Sequence, residues 1–558
     1  MTPNQRTSGM KWNTLSEAGA VLVRQLAESS NARFGRNKRV TKLLHSLGAL
    51  GEPSGILVIL GYFVDDDPGV AQKAASVAAD LSRRMPPELL PALDERIRAD
   101  GYGGYGGWLD NRWWRLTRDA LNRISTDPSF HSVLGLATCH GSGFVREAAV
   151  VRLDREVSSG AEIPFLLLRL NDWVLPVRRA AEQAIERRLT PFFREAYVHN
   201  LALVARLRNQ TRAGDSPALG QIEGLLSADL IALVREALAS THRTTLLFGV
   251  SLALENLSRV DPHEGEAVLE LILATTDPGV RLQATCWLTL ATSADKWQSL
   301  FLPRLLRDRV VAVRRVALGW CAACQPATHL ADLHEALLDL SGKVRSIPQF
   351  HLPKLIAMDV RSFYLESLRL REPRTLEATL GGLGETGTLE DAELVLPFID
   401  AAKPRIRKVA LKALSRLALE RHLETFIIAL QADSPGVSRL ARVTLEGYAS
   451  AIGPSRLASI SAGASHPHVR LQALLLIEQL PRWQKLPMLI EFSAQADGDF
   501  GRLASSFLEK WVANFNRFHQ FQPTGAEKLQ FRAALAAHLG KLERRIGSEL
   551  SSIEKVFR

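Results

Sequence analysis

The sequence is poor in cysteine, in aromatic residues and in long apolar runs. Its 558 residues include four cysteines, too few for a disulfide framework, which predicts a reducing compartment such as the cytoplasm. The longest apolar run, Ile56 to Val64, is far below the ~20 residues that a membrane-spanning helix needs, so no membrane insertion is expected. The apolar stretch from Ala18 to Leu26 contains Arg24, which argues against a signal peptide.

Catalytic signatures and strand signals are also missing. The sequence contains no Walker A loop, no dinucleotide-binding glycine fingerprint and no nucleophile elbow. No stretch alternates steadily between apolar and polar residues, and no Asn-Gly hairpin turn occurs. These observations predict an all-α protein that is not an enzyme and that uses no cofactor.

One short pattern recurs along the chain. It consists of a turn, often with Pro or Gly, then Val-Arg, then small or apolar residues at helical spacing. Nine of the twelve steps between consecutive copies are 30 to 33 residues long, which is typical of stacked helical repeats. The clear copies begin at Val145, Val177, Val234, Val280, Val313, Ile406 and Val469, and the weaker ones begin at Val70, Trp113, Val344, Leu376, Val437 and Gly501.

Each copy predicts an amphipathic helix. After Ile406, apolar residues follow at Val409, Ala410, Ala413 and Leu414, which is the spacing of one buried helix face. A second apolar helix precedes each turn. Because such a pair cannot bury both of its faces alone, the pairs are expected to stack into a solenoid. The arginine after each first residue is expected at the rim of the stack, bonded to a carboxylate or a carbonyl of the adjacent turn.

The repeat unit resembles a known family. The stretch Leu383 to Ala392, running into 404–410, resembles a HEAT-like repeat of the short bacterial kind, and so does 47–53 running into 66–70. The resemblance spans about residues 45–520 and implies a right-handed α-solenoid of about 13 stacked two-helix repeats. It says little about function, because such repeats serve as scaffolds, adaptors, nucleic-acid binders and a few enzymes.

Departures from the period suggest the domain organisation. Residues 1–44 form a basic segment before the repeats of 45–520, and 521–558 are expected to hold a basic amphipathic helix that caps the array. Residues 101–107 contain five glycines and predict a flexible loop. The region 190–265 has the least regular steps, which indicates a bend in the superhelix, a junction between two sub-arrays or a pair of decayed repeats.

Proline positions predict where helices begin and end. Asp67 and Ser434 each precede a proline and are expected to cap the helix that follows. Val344 is followed by Pro348 and Pro353, so a short or displaced helix is expected there.

The net charge of +10 is concentrated at the two ends. Residues 1–50 carry a net charge of +6 and residues 501–558 one of +5, so the stretch between them is close to neutral. Two segments are therefore candidates for binding. The first is the basic cluster of Arg33, Arg36, Lys38, Arg39 and Lys42; the second follows the glycine loop and contains Trp108, Arg112, Trp114, Arg115 and Arg118.

The second segment has two interpretations. Aromatic and arginine side chains behind a flexible loop are suited to clamping a peptide or to stacking on bases. Trp113, in contrast, occupies the first position of a repeat, where a core residue is expected.

No metal site is predicted. Cys321 and Cys324 form a lone Cys-x-x-Cys pair, whereas zinc needs further ligands at suitable spacing, and Cys321 falls at a core position. One hydroxylase family with HEAT-like repeats binds iron through four His-Glu dyads at equivalent repeat positions. This chain has only two dyads, at different places in their repeats, which are His263-Glu264 and His334-Glu335.

The leading hypothesis is a cytoplasmic scaffold or adaptor that binds another protein on the surface of the solenoid. The alternative is a nucleic-acid-binding solenoid, as in DNA repair, that uses the terminal basic clusters and residues 108–118. An enzyme, such as a glycosylase or a bilin lyase, is a third hypothesis, for which no specific motif is found.

Overall fold

The computed structural model describes residues 15–30, 34–99, 111–214, 216–291, 295–495, 498–515 and 522–557. Every regular element within these ranges is a helix, and none of them is a strand. The glycine-rich segment 101–107 and the candidates Trp108 and Arg33 lie outside these ranges. The chain divides into two compact units, Met1–Pro303 and Arg304–Arg558.

The first unit contains eighteen α-helices in its described part, joined by short turns and 3-10 segments. They are α1 Glu17–Ser30, α2 Arg36–Leu50, α3 Gly55–Ile59, α4 Pro68–Arg84, α5 Leu90–Ala99, α6 Asn111–Trp114, α7 Arg118–Asn122, α8 His131–Ala137, α9 Gly143–Glu156, α10 Ile163–Arg169, α11 Leu175–Glu186, α12 Arg194–His199, α13 Leu201–Leu207, α14 Pro217–Leu226, α15 Leu230–Ala239, α16 Arg243–Asn256, α17 Pro262–Ala274 and α18 Pro278–Leu290.

Helix α19, Asp295–Leu306, contains the point at which the two units divide. The helices after it belong to the second unit. They are α20 Val311–Cys324, α21 Leu330–Ala336, α22 Gly342–Ile356, α23 Val360–Leu370, α24 Leu376–Thr386, α25 Ala392–Val395, α26 Pro404–Ala418, α27 Leu423–Ala429, α28 Pro435–Thr444, α29 Ala449–Ile452, α30 Pro454–Ala462, α31 Pro467–Ile477, α32 Arg482–Ala494, α33 Gly498–Ala513, α34 Gly525–His538 and α35 Arg544–Val556.

Within each unit the helices stack in pairs. In the second unit, α24, α26, α28, α31 and α33 pack successively against one another, and α23, α25, α27, α30 and α32 each pack on the helix that follows them in this series. In the first unit, α9 packs against α11, α15 against α17, and α16 against α18. This arrangement confirms the predicted all-α fold of stacked helix pairs. The number of repeats and their handedness stay predictions.

The predicted first residue of each repeat is a core residue. Twelve of the thirteen are buried, and Leu376 is half-buried. Ten of them are the third residue of their helix, one turn from the cap. Asp67 accepts a hydrogen bond from the Val70 backbone N–H, as predicted, whereas Ser434 makes no side-chain cap.

Most arginines of the repeats bind the adjacent turns, as predicted, whereas Arg235 and Arg470 make no such bond within the described residues. In six repeats the guanidinium donates to the carbonyl oxygen six residues earlier, at 2.6 to 3.3 Å. Several also bind a carboxylate of the next turn, such as Asp172 or Asp339. The six arginines are Arg146, Arg178, Arg281, Arg314, Arg345 and Arg407.

Two predictions about the repeats are wrong. Val234 is buried, but it lies on α15, which packs against α17, whereas α16 occupies the layer of α18. The local pattern around Val234 therefore belongs to the first helix of a pair, in line with α17, and not to the second helix, in line with α18. The helix that contains Val344 is neither short nor displaced, because α22 runs for 15 residues through Pro348 and Pro353 and packs against both α20 and α24. The two prolines have no backbone N–H to donate within the helix, yet the helix continues through both of them. Pro348 and Leu352 are buried against the core at this point.

The ends of the chain also differ from the prediction. The boundary expected at residue 44 falls inside α2, whose Val40, Leu44 and Leu47 are buried and which packs against α4. The single C-terminal helix expected from Gly525 is two helices, α34 and α35, separated by a 3-10 turn. They pack on α32 and α33, respectively, through residues such as Phe531.

No single helix in the described part of the chain has both the length and the apolar composition to cross a membrane. One pair, α14 with α15, meets these two criteria together but is bent by 99°.

Candidate functional site

The structure brings the two predicted binding segments together at one buried carboxylate. Asp65 follows the short 3-10 helix Leu60–Val64, and its side chain is almost completely enclosed. Arg36 donates two hydrogen bonds to it, at 2.9 and 2.5 Å, and Arg112 donates one at 2.7 Å. Burial opposes ionisation, but these hydrogen bonds outweigh it and lower the pKa of Asp65 to about 2. Both arginines therefore have a structural role.

The two tryptophans of this segment differ in their surroundings. Trp113 is fully buried, with its ring edge-on to Phe63 and to His140. This confirms the core position expected for it. Trp114 is half-buried, and its ring lies so close to Gly141 that a Cβ at that position would be 2.6 Å from it.

His140 joins these tryptophans to the neighbouring turn. Its Nδ1 accepts a hydrogen bond from the Ser142 backbone N–H at 3.0 Å, so its Nε2 carries the proton and donates to the Trp113 carbonyl at 3.0 Å. Burial lowers the pKa of His140 and favours this neutral form.

The other predicted site residues are exposed. Among the described residues, none of their side chains has a hydrogen-bond or ion-pair partner, so they are not drawn into one site with Asp65. They are Lys38, Arg39, Lys42, Arg115 and Arg118.

A row of exposed apolar side chains lies beside Trp114 on the turns of the next two repeats. Phe144 is 74% exposed at the start of α9, and Trp173 is 66% exposed in the turn before α11. Leu175, the first residue of α11, is also exposed. We call Trp114, Phe144, Trp173 and Leu175 the aromatic edge. The signal for it in the sequence is apolar residues in the polar turns immediately before Val145 and Val177.

The turns that carry the aromatic edge touch each other. A Cβ on Gly143 would lie 3.3 Å from the side chain of Val174, so the residues next to Phe144 and Trp173 are in contact. The guanidinium of Arg146 lies over the Trp173 ring at 5.9 Å from its centroid. The edge is therefore supported by neighbouring repeats.

A buried ionic network holds these turns in place. Arg146 donates from Nε and Nη2 to the two oxygens of Asp172, at 2.9 and 2.8 Å, and both side chains are fully buried. Its Nη1 donates to the carbonyls of His140 and Gly141. Burial opposes the charge of Asp172, but the Arg146 hydrogen bonds and the nearby charge of Arg169 hold its pKa below the usual range.

Behind the edge is a charged cavity of about 250 Å³, lined by α5, α10, α13 and the turn with Trp173. Arg169 connects two of its three carboxylates, because its guanidinium lies 2.9 Å from Asp172 and 2.7 Å from Asp94. Arg98 also binds Asp94, at 3.1 Å. The charges of this cavity largely neutralise one another.

The two cysteines of the Cys-x-x-Cys pair differ in burial. Cys321 is buried and burial raises the pKa of its thiol to about 12, whereas Cys324 is exposed. The described residues contain no group of three metal-ligating side chains.

Comparisons with known proteins give weak similarity. No protein-family profile and no curated protein matches the chain. Among solved structures, importin β has 13% identity and a TM-score of 0.32, over 97% of this chain and 83% of that one.

A condensin Cnd3–Cnd2 subcomplex of S. pombe has 14% identity and a TM-score of 0.31, over 96% of this chain and 82% of that one. The C-terminal fragment of the cohesin loader SCC2 of Chaetomium thermophilum has 12% identity and a TM-score of 0.30, over 94% and 43%. The chain is similar to these proteins in helical architecture alone.

Proposed function

We propose that the chain is a protein-binding scaffold without catalytic activity, and that the aromatic edge of its first unit is a partner interface. The observation that carries this proposal is the pair of exposed rings, Phe144 and Trp173, on contacting turns. The proposed location is the cytoplasm, for which the low cysteine content is the support.

Aromatic side chains at the centre of an interface commonly contribute most of its binding energy. Each ring that a partner covers buries ~150–250 Å² of apolar surface. The Arg146–Asp172 contact holds the two turns before any partner arrives, so little conformational entropy is lost on binding. An exposed aromatic pair on turns that are held in place is therefore suited to a specific contact.

The charged residues near the aromatic edge indicate which charges a partner carries around its apolar centre. Arg115, Arg118 and Arg179 are exposed and have no partner within the ranges that the structure describes. Carboxylates on the partner would pair with them at the rim, where charge complementarity mainly speeds association and selects the partner. We propose a partner surface with apolar side chains flanked by Asp and Glu.

The test is affinity purification of the full chain with mass spectrometry, with and without nuclease. The variants are Phe144→Ser and Trp173→Ser, made singly. The control is Leu290→Ser, because Leu290 is equally exposed, at 81%, on another helix of the same unit. Melting curves check that each variant is folded.

We expect the Leu290→Ser control to recover the same proteins as wild type, both with and without nuclease treatment. Either edge variant should lose a subset of them, because removing a hot-spot ring costs about 2 kcal/mol, or about thirtyfold in affinity. Identical protein sets for wild type and both edge variants would contradict this assignment. Loss of every protein on nuclease treatment would instead favour nucleic acid as the primary partner.

A further inference from the structure

Two neighbouring repeats of the second unit separate charge between their paired helices. Helices α26 and α28 together contain seven Lys and Arg residues and no Asp or Glu. The segment Leu389–Phe398, which packs on α26 and includes α25, contains three carboxylates and no Lys or Arg. In α27, which packs on α28, the charged residue is Glu424. Adjacent layers of the same repeats therefore carry opposite charge.

Three of the seven cations are occupied by partners within the unit. Arg407 donates to the Ala401 carbonyl at 3.3 Å and to Asp433 at 2.7 Å. Arg416 donates to Glu385 at 3.2 Å, and Arg442 donates to Gln472 at 3.0 Å and to Glu446. These contacts belong to the fold.

The other four cations are exposed and have no partner in the part of the chain that is described. Arg405, Lys408 and Lys412 occupy positions i, i+3 and i+7 of α26 and so share one helix face. The Lys408 stem lies 3.4 Å from the place where a Cβ on Gly436 would be, at the start of α28. Arg439 follows one turn later on α28. We call Arg405, Lys408, Lys412 and Arg439 the basic face.

We propose that the basic face binds an acidic segment of a partner protein, independently of the aromatic edge. From Arg405 to Lys412 the face extends for about 10 Å along α26, a length that three to four extended peptide residues cover. A run of alternating carboxylate and aliphatic residues fits it. Val443, one turn beyond Arg439, is exposed and offers an apolar contact between the charges.

The composition of the surface favours a peptide over a single nucleic-acid strand. Proteins that bind single strands stack the bases on aromatic side chains. Helices α26, α28 and α31 contain no Phe, Tyr or Trp. Carboxylates paired with lysine and arginine need no such platform, and their attraction is screened by salt.

The test uses the full chain and a fluorescent peptide of about twelve residues in which Asp and Glu alternate with Leu. Binding is followed by anisotropy at low salt and at about 0.5 M NaCl. The test variant is Lys408→Glu with Lys412→Glu. The matched control is Arg315→Glu with Lys343→Glu, which changes the net charge equally at exposed, unpartnered positions of the same unit. A Lys408→Gln, Lys412→Gln variant removes the charges without reversing them.

We expect salt-sensitive binding that weakens at least about tenfold in the test variant and less than about twofold in the control. The glutamine variant should lie between them. Equal loss in test and control variants, or no binding to wild type at low salt, would overturn the proposal. The proposal would also be overturned if a single-stranded or duplex nucleic acid of matched charge bound more tightly than the peptide and the test variant lost that binding. These outcomes do not depend on Phe144 or Trp173.

Discussion

Two aspartates in equivalent turns test how burial changes the energy of the contacts at the rim of the stack. Asp172 pairs with Arg146, and Asp433 pairs with Arg407, each 26 residues apart. Asp172 also binds Arg169, which is buried as well, whereas Arg407 is the partner described for Asp433. The Asp172 side chain is fully buried, whereas that of Asp433 is 73% exposed. Replacing either residue by Asn keeps the shape and removes the charge.

The expected losses differ severalfold. In Asp172→Asn, Arg146 has no water to replace its partner, because its side chain is fully buried and its third nitrogen is already bound to two carbonyls. Leaving a buried charge unpaired costs about 3–5 kcal/mol. In Asp433→Asn, water solvates the exposed groups and the loss is about 0–1 kcal/mol.

The assay is urea unfolding of the full chain followed by far-UV circular dichroism. With a slope of about 3 kcal/mol per molar urea, Asp172→Asn should lower the midpoint of the first unit by about 1 M or more. Asp433→Asn should change it little. A second variant, Arg146→Met with Asp172→Asn, removes the unpaired charge and should recover part of the loss.

Equal destabilisation by the two aspartate variants would refute the reasoning, because burial would then not decide the cost. A loss below about 1 kcal/mol for Asp172→Asn would do so as well. No recovery in the double variant would show that Arg146 is not the group left unpaired.

The remaining predictions concern pH, thiols and packing. Burial lowers the pKa of His140 below its usual value of 6.5, so the unfolded chain binds the extra proton first and stability should fall from pH 7 towards pH 5. Melting temperatures measured over this range should decline less in His140→Asn than in wild type. An unchanged decline would contradict this assignment. An alkylating reagent at pH 8 should modify the exposed Cys324 at least about 100-fold faster than Cys321, because burial shields the Cys321 thiol and raises its pKa. Peptide mass spectrometry measures the two rates, and equal rates would mean that Cys321 is accessible. Ala410→Asp should cost several kcal/mol in unfolding experiments because Ala410 is fully buried, whereas the exposed Ala402→Asp should cost little; similar losses would refute the assigned helix register.

The helical class, the period and most of the buried faces could be predicted from the sequence. Val313, Ile406 and Ala410 lie where the spacing places them, because a helix turns by a constant angle and the apolar side must face its neighbours. Arg146 and Arg314 bind the adjacent turns for the same reason, since each is one residue beyond a core position.

Contacts between residues distant in the sequence were decided by the tertiary structure. Nothing in the sequence pattern joins Arg36 to Arg112; the fold does so through Asp65, which shifts both from candidate binding residues to structural ones. Val234 has the local pattern of one layer and lies in the other, because an amphipathic pattern reports that a face is buried and not which helix covers it.

The surfaces, too, were decided by the fold. The central part of the chain is nearly neutral as a sequence, yet α26 and α28 together carry seven Lys and Arg residues and no carboxylate, and the segment Leu389–Phe398 that packs on α26 carries three carboxylates. Phe144 and Trp173 form one edge because their repeats are adjacent in space. A sequence determines burial through spacing along one helix, whereas a binding surface depends on which helices become neighbours, and only the stacking of the repeats settles that.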